Sequence, residues 1–336
     1  MIAFISLILL FFTLVGINSA SYLNGIQKCF MLLVSLSMFV IIFNNLPLGF
    51  ASDQEDYYNL LTRSNLESQP YKTFILGVIS FIPVTADFSL IALRLFLYIL
   101  CISAFIYFGE KICNSPVKAF SLILIPSIAI HATLFLREPI IYAVIIGYLF
   151  FLVNKRLFLA VICWILVALI RADTAIIIFP VFLIVINNNS YQSFLAFSGI
   201  LATYFMLNNF EPLNFIFNSY RNQYGIEHNI LDSFSGLLFS ASNFFFGSRD
   251  FQIATIMLSL ESFLMIYILY FAKNKTILIS LLLLSILIIG SISDNSGFIL
   301  RIRSSIVLIF VVLYFFEIKS IKVMNKIKNN QRINHI

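Results

Sequence analysis

The stretch LFLREPIIYAV, residues 134–144, places an arginine, a glutamate and a proline between two long apolar runs. Proline is favoured in the first turn of a helix, where its missing N–H costs no hydrogen bond. The stretch therefore predicts a helical hairpin whose corner carries Arg137 and Glu138 at the wall of an outward-facing cavity. The alternative is that Arg137 only extends towards lipid headgroups and that Pro139 only starts the next helix.

The whole chain shares this apolar character. Of its 336 residues, 61% are hydrophobic and 11% are charged, whereas a soluble domain has about 45–50% apolar and about 25% charged residues. Lipid accepts only helices or closed barrels, and these runs do not alternate as barrel strands do. We therefore expect an all-α polytopic integral membrane protein, in which residues 1–336 form a single membrane domain.

About eleven transmembrane helices are predicted, because a helix needs about 20 apolar residues to cross a bilayer core. They are expected near 2–19, 27–46, 88–109, 117–136, 139–154, 156–171, 174–188, 192–208, 251–272, 275–292 and 304–318.

Lysine and arginine are unevenly distributed between the loops. Cytoplasmic loops carry the excess of basic residues, so the basic tail 319–336 is predicted inside and the N-terminus outside. The inner set is then ten lysines and two arginines, and the outer set eight arginines and one lysine. Because a guanidinium binds phosphate or carboxylate oxygens in pairs, the outer face is predicted to bind an anionic ligand or to hold several ion pairs. The outer arginines are Arg63, Arg94, Arg137, Arg171, Arg221, Arg249, Arg301 and Arg303.

Two polar segments, 47–87 and 209–250, are predicted outside. The first is expected to hold a re-entrant or interfacial helix, and the second an interfacial segment. The first contains Asp53, Glu55 and Asp56. These could supply a general base, because neighbouring carboxylates in a partly dry cleft hold their protons more tightly. The alternative is an acidic loop that is simply solvated.

Other polar residues stand near the ends of predicted helices. Arg171 is a candidate to pair with Asp173 or with a neighbouring cluster. Arg301 and Arg303 diverge by about 200° on a helix, so both reach one ligand only if the helix starts after Arg303 or the segment is extended. The remaining candidates are Glu138 at the hairpin corner, Asp294 before the two arginines, and Arg221, His228 and Arg249 in the second outer segment.

Two titratable residues fall inside predicted helices. His131 is expected to be a hydrogen-bonded core residue rather than a base. An unpaired carboxylate is costly within a membrane. Glu261 is therefore expected to be protonated, hydrogen-bonded within the helix bundle, or functional, in that order.

Several common motifs are absent from the sequence. It has no Walker A loop, GxGxxG, HExxH or GxSxG, which argues against an ATP-driven pump or a common hydrolase. The four cysteines have no CxxC spacing, and the basic residues form no stripe for nucleic acid. No cofactor and no metal are expected, although the acidic loop could bind a divalent ion.

A family resemblance rests on six segments and on their layout along the chain. The segments are SDQEDYY, QPYKTF, ALRLFLYIL, LREPIIYAVIIGYLFFL, ALIRADTAIIIFP and RIRSSIVLIF. The chain resembles the polysaccharide polymerases of bacterial surface-glycan clusters, namely the O-antigen polymerases of Wzy type and the EpsG-like proteins. One departure concerns the Arg-x10-Gly pattern of some polymerases and ligases. It is not met at Arg221, because position 232 is aspartate.

The resemblance implies glycosyl transfer at the periplasmic face of the bacterial inner membrane. An undecaprenyl-diphosphate-linked glycan would donate its chain to a second lipid-linked repeat unit, and a chain-length regulator would be a candidate partner. It further implies that Arg137, Arg171, Arg301 and Arg303 bind the diphosphate, and that Asp53, Glu55 or Asp56 orients or deprotonates the acceptor. The alternatives are a GT-C-type glycosyltransferase with a polyprenyl-phosphate sugar donor, and a lipid-linked oligosaccharide flippase.

Overall fold

A computed structural model describes two main parts of the chain and several shorter stretches. The described residues are 9, 12–13, 25–45, 86–113, 115–134, 137–171, 174–175, 178, 241–242, 244–246, 252–272, 275, 278–279, 281–283, 285–286 and 299–315. All regular secondary structure among them is helical. The all-α prediction is therefore confirmed for this part of the chain.

The chain forms two compact units, one of residues 1–110 and 115–176 and the other of 111–114 and 177–336. Among the residues that the structure describes, seven α-helices with defined bounds precede residue 171. They are α1 (Gly25–Asn45), α2 (Ala86–Ala104), α3 (Glu110–Cys113), α4 (Pro116–Ile123), α5 (Pro126–Leu134), α6 (Glu138–Val153) and α7 (Leu157–Ile170). A π-helix, Phe105–Gly109, joins α2 to α3. Two later helices in the described part of the chain are α8 (Gln252–Phe271) and α9 (299–315).

Most predicted helices that fall on described residues have boundaries within two residues of those observed. The predicted helices 27–46, 139–154, 156–171 and 251–272 correspond to α1, α6, α7 and α8. The predicted helix 88–109 continues to Cys113, and α9 is already helical at residue 299, five residues before its predicted start.

The helix predicted near 117–136 is not continuous, because the chain forms α4 and α5 with a bend of 67° between them. Pro126 is the cause, since proline has no N–H to donate and its ring clashes with the preceding turn. Ser115 caps the first of the two helices by accepting a hydrogen bond from the backbone N–H of Lys118. Both sides of the bend are buried.

Only one described helix, Arg94–Cys113, is long and apolar enough to cross a membrane, and the bent pair α4 and α5 would be a second. The other apolar stretches that the structure describes are shorter: Leu33–Ile42 within α1, Thr255–Phe271 within α8, and the helices α6 and α7. About eleven transmembrane helices are therefore not confirmed.

In the first unit, α6 packs against both α2 and α7. Phe108 of the π-helix contacts Phe150 and Phe151, with ring centroids 5.2 and 5.7 Å away. The Phe108 ring also lies over Gly147, where an added Cβ would be 3.7 Å from it, an ordinary van der Waals distance. At the far end of α6, Lys155 adopts a left-handed conformation with φ 58° and turns the chain into α7.

Replacing Gly109 with alanine should destabilise the protein, because the new Cβ would lie 3.1 Å from the Cβ of Ala119 on α4. Overpacking of this kind costs about 1–3 kcal/mol. Gly147→Ala is the matched control, since its nearest neighbour would be 3.7 Å away. In thermal unfolding of the purified full-length chain, Gly109→Ala should have a lower melting temperature than Gly147→Ala. Equal melting temperatures would contradict the tight contact.

Candidate functional site

A buried ion pair lies at the hairpin corner predicted from the sequence. The Nη1 atom of Arg171 is 3.0 Å from Oε1 of Glu138, and the two side chains are 9% and 2% exposed. The residues are 33 positions apart in the chain. Because α6 and α7 are antiparallel neighbours, the start of α6 and the end of α7 meet at one end of the first unit. We call this place the corner site, defined by Arg137, Glu138 and Arg171.

Glu138 occupies the first turn of α6, directly before Pro139. The backbone N–H of Ile141 donates to the Arg137 carbonyl at 3.0 Å, which closes the first turn. A carboxylate at this position is stabilised by the partial positive charge of the helix N-terminus. The local sequence thus fixes the Glu138 backbone at the N-terminal end of α6.

Arg171 occupies the C-terminal cap of α7, where its backbone is extended at φ −157° and ψ 95°. Its N–H donates to Val167 O at 2.7 Å, and its own carbonyl accepts from Ala175 N at 3.2 Å. The indole N–H of Trp164 donates to Ala175 O at 2.9 Å. These bonds hold the turn that carries Arg171, and a cation is favoured at the C-terminal end of a helix.

A second buried polar pair lies one turn inside the corner site. Tyr142, four residues after Glu138 and on the same face of α6, has its hydroxyl 3.4 Å from Nδ1 of His131 on α5. Both side chains are buried. The direction of this hydrogen bond depends on the histidine tautomer. His131 is thus a hydrogen-bonded core residue, as predicted.

The opposite end of the α6–α7 hairpin has a different chemical character. Asn154, Lys155 and Arg156 are all exposed there. The two ends of α6 are about 24 Å apart for a helix of 16 residues. The buried ion pair is therefore at one end of the hairpin and solvated basic side chains are at the other.

In the second unit, Arg303 is fully buried and binds main-chain carbonyls. Its Nη1 donates to Phe244 O and Phe245 O, its Nη2 donates to Leu258 O, and its guanidinium lies 5.2 Å from the Phe244 ring centroid. Glu261 of α8 is also fully buried and acts electrostatically on Arg303. The sequence analysis expected Glu261 to be protonated, hydrogen-bonded or functional, and it did not predict that an arginine would be its neighbour.

Arg301 and Arg303 both lie within helix α9, and Arg301 is only half-buried. Both arginines would reach one ligand only if the helix started after Arg303 or if the segment were extended. Neither condition is met in this helix. Their diphosphate-binding roles stay predictions. In this structure the Nη1 and Nη2 donors of Arg303 are directed at carbonyl oxygens.

No model of a known protein family matches this chain, and no match was found among curated proteins or solved structures. The corner site is therefore interpreted from its own chemistry. It offers the guanidinium groups of Arg137 and Arg171, whose chemistry suits a phosphate or carboxylate group. Within the described ranges, no group of three histidine, cysteine, aspartate or glutamate side chains could hold a metal ion.

Several predicted site residues lie outside the described residues: Asp53, Glu55, Asp56, Asp173, Arg221, His228, Arg249 and Asp294. Their catalytic and binding roles stay predictions. Of the others, the structure brings Glu138 and Arg171 together. The sequence analysis did not select Tyr142, although its spacing of four residues from Glu138 could have indicated that both share one face.

Proposed function

We propose that this chain is a membrane glycosyltransferase of the polysaccharide-polymerase kind, which joins undecaprenyl-diphosphate-linked glycan units at the outer face of the inner membrane. The observation that carries the proposal is the buried Arg171–Glu138 pair beside Arg137, at one end of an apolar helical hairpin. A diphosphate leaving group gains negative charge as the glycosidic bond to it breaks. Fixed arginines at that point stabilise this charge without reorganisation.

The exposed side chains of the helices support a membrane setting. The outward face of α7 is apolar along its length and includes Leu157, Phe158, Ile162, Ile165 and Leu169. In water, an unbroken apolar surface on this scale marks an interaction site or an aggregation liability. Lipid acyl chains solvate such a surface at no cost, so we propose a polytopic arrangement.

Orientation follows from the two ends of the hairpin. Lys155 and Arg156 are exposed at one end and lie on the cytoplasmic side under the positive-inside rule. The corner site then faces the periplasm, with about eleven crossings, a periplasmic N-terminus and a cytoplasmic C-terminus in the proposed topology. Lipid-linked glycans would reach the corner site from the outer leaflet.

The proposal is tested by deleting the gene and separating surface lipopolysaccharide on a gel, beside the parent and a complemented strain. We expect the ladder to disappear while one repeat unit stays attached to the core, and complementation to restore it. A ladder with altered spacing would instead indicate a single-sugar transferase. Complete loss of repeat units would indicate export, and an unchanged ladder would also overturn the proposal.

A further inference from the structure

The turn between α6 and α7 carries two adjacent basic side chains at the surface. Lys155 and Arg156 are both exposed, and their hydrogen bonds within the described part of the chain are made by the main chain. The acidic residues nearest to them along the sequence are Glu138 and Asp173, and neither belongs to this turn. We call residues 154–158 the basic tip, because they carry two positive charges and no negative one.

The backbone of this turn is a Schellman motif that keeps Lys155 in an unfavourable conformation. The N–H of Arg156 donates to Phe151 O at 2.8 Å, and the N–H of Lys155 donates to Leu152 O at 3.0 Å. The motif requires a left-handed residue at the position of Lys155, where glycine is usual because it has no Cβ. Lys155 has φ 58° and is the one non-glycine residue of the described chain with a positive φ. A lysine costs stability here relative to glycine, which points to a role for its side chain outside the turn.

Exposed apolar side chains follow the two charges directly. Leu157 is 42% exposed and Phe158 is 77% exposed, more than any other large hydrophobic side chain that the structure describes. The exposed apolar face of α7 then continues as far as Leu169. Charges that lead into a continuous apolar face fit the boundary of a bilayer, where charged groups contact headgroups and apolar side chains contact acyl chains.

We infer that the basic tip binds the headgroups of anionic phospholipids, which lie in the cytoplasmic leaflet in the proposed orientation. Basic side chains at a membrane surface are attracted to anionic headgroups, whereas the ammonium group of a zwitterionic lipid offsets its phosphate. The inference rests on the membrane setting of the proposed function and not on glycosyl transfer. It also goes beyond orientation, because it predicts a lipid preference of the folded protein.

Such a contact would fix the depth of the hairpin in the bilayer. The corner site lies at the other end of α6, about 24 Å away along the helix. A tip that is held at one leaflet therefore keeps the corner site close to the opposite membrane surface. The tip takes no part in the proposed reaction, so variants here should keep the lipopolysaccharide ladder.

The experiment uses Trp164, the only tryptophan of the chain, as a reporter of nearby lipid. Trp164 is half-buried on α7, about 12 Å along the helix from Arg156. The full-length protein is reconstituted in vesicles of phosphatidylcholine and phosphatidylglycerol, and brominated acyl chains on one lipid or the other quench the tryptophan fluorescence. The wild type should bind phosphatidylglycerol at least about fivefold more tightly, the contribution of one basic residue near the surface.

Three substitutions of Lys155 separate its charge from its backbone conformation. Lys155→Gln removes the charge and keeps the unfavourable conformation, Lys155→Gly removes both, and Lys155→Arg keeps both. The preference for phosphatidylglycerol should fall about fivefold in the glutamine and glycine variants and stay unchanged in the arginine variant. Lys155→Gly should also have the highest melting temperature of the three, because glycine adopts the left-handed conformation without a steric cost. A purely structural role of Lys155 would not give higher stability together with a lost lipid preference.

A wild-type protein without a preference for phosphatidylglycerol would overturn the inference. A preference that survives in the double variant Lys155→Gln with Arg156→Ala would overturn it as well, because the anionic lipid would then bind elsewhere. The gel ladder of the deletion strain tests the proposed function separately. An unchanged ladder would reject the polymerase and leave the measured lipid preference standing, whereas a missing preference with a lost ladder would reject only the lipid contact.

Discussion

Arg171→Ala should abolish polymer formation and also lower the stability of the protein. The substitution leaves the buried Glu138 carboxylate without the guanidinium 3.0 Å away. Removing one partner of a buried ion pair costs about 3–5 kcal/mol. It also removes a donor that the proposed reaction uses on the departing diphosphate. We expect no ladder on a lipopolysaccharide gel and a clear fall in melting temperature.

Four further variants separate the structural and the chemical role of Arg171. Arg156→Ala should keep both the ladder and the melting temperature, because its side chain is exposed at the other end of α7. Glu138→Gln keeps an acceptor oxygen for Arg171 and should therefore retain more stability than Glu138→Ala. Exchange of the two charges, Glu138→Arg with Arg171→Glu, should recover part of the stability but no ladder.

The charge exchange is the decisive variant for the corner site. It restores a neutral pair, although each new charge has the less favourable sign for its helix end. If the exchanged protein made a normal ladder, the position of the guanidinium would not matter for the reaction. Arg171 would then serve only to hold α6 and α7 together, and the proposed diphosphate contact would be wrong.

The corner of the hairpin could be predicted from the sequence because its charges interrupt two apolar runs. The helix ends near Glu138 and Arg171 followed from the same local pattern. The partner of Glu138 could not be predicted, since pairing across 33 residues depends on how α7 packs against α6. The sequence offered Asp173 as the nearest candidate for Arg171, and only the packed hairpin brings Glu138 into reach.

Two differences between expectation and structure have clear physical reasons. The apolar run 117–136 contains Pro126, whose effect on the helix outweighs the continuity of hydrophobicity. The start of α9 was expected after Arg303, because a charged residue was assigned to the water boundary. The structure buries that arginine instead, and carbonyl oxygens of Phe244 and Leu258 replace the water. Local charge is thus a weak marker of a helix end when main-chain acceptors lie nearby.

Arg303→Met should destabilise the second unit strongly. The arginine donates to three backbone carbonyls and lies close to the buried Glu261, so its loss leaves acceptors and a carboxylate without this compensation. The expected cost is about 3–5 kcal/mol. Thermal unfolding of the purified full-length chain measures it. Arg301→Met, two residues earlier on α9 and only half-buried, is the matched control and should unfold close to the wild type.

A second substitution identifies the source of the Arg303 effect. Glu261→Gln removes the buried negative charge, so Arg303→Met combined with Glu261→Gln should be less destabilised than the sum of the two single variants. If the losses of unfolding free energy in the two single variants simply added up in the double variant, Arg303 would act through the carbonyls of Phe244, Phe245 and Leu258 alone. If Arg303→Met instead unfolded like the wild type and lost only the ladder, Arg303 would be a ligand-binding residue, as the family resemblance implies. A stable fold without this guanidinium would therefore mean that Arg303 serves substrate binding and not the stability of the helix core.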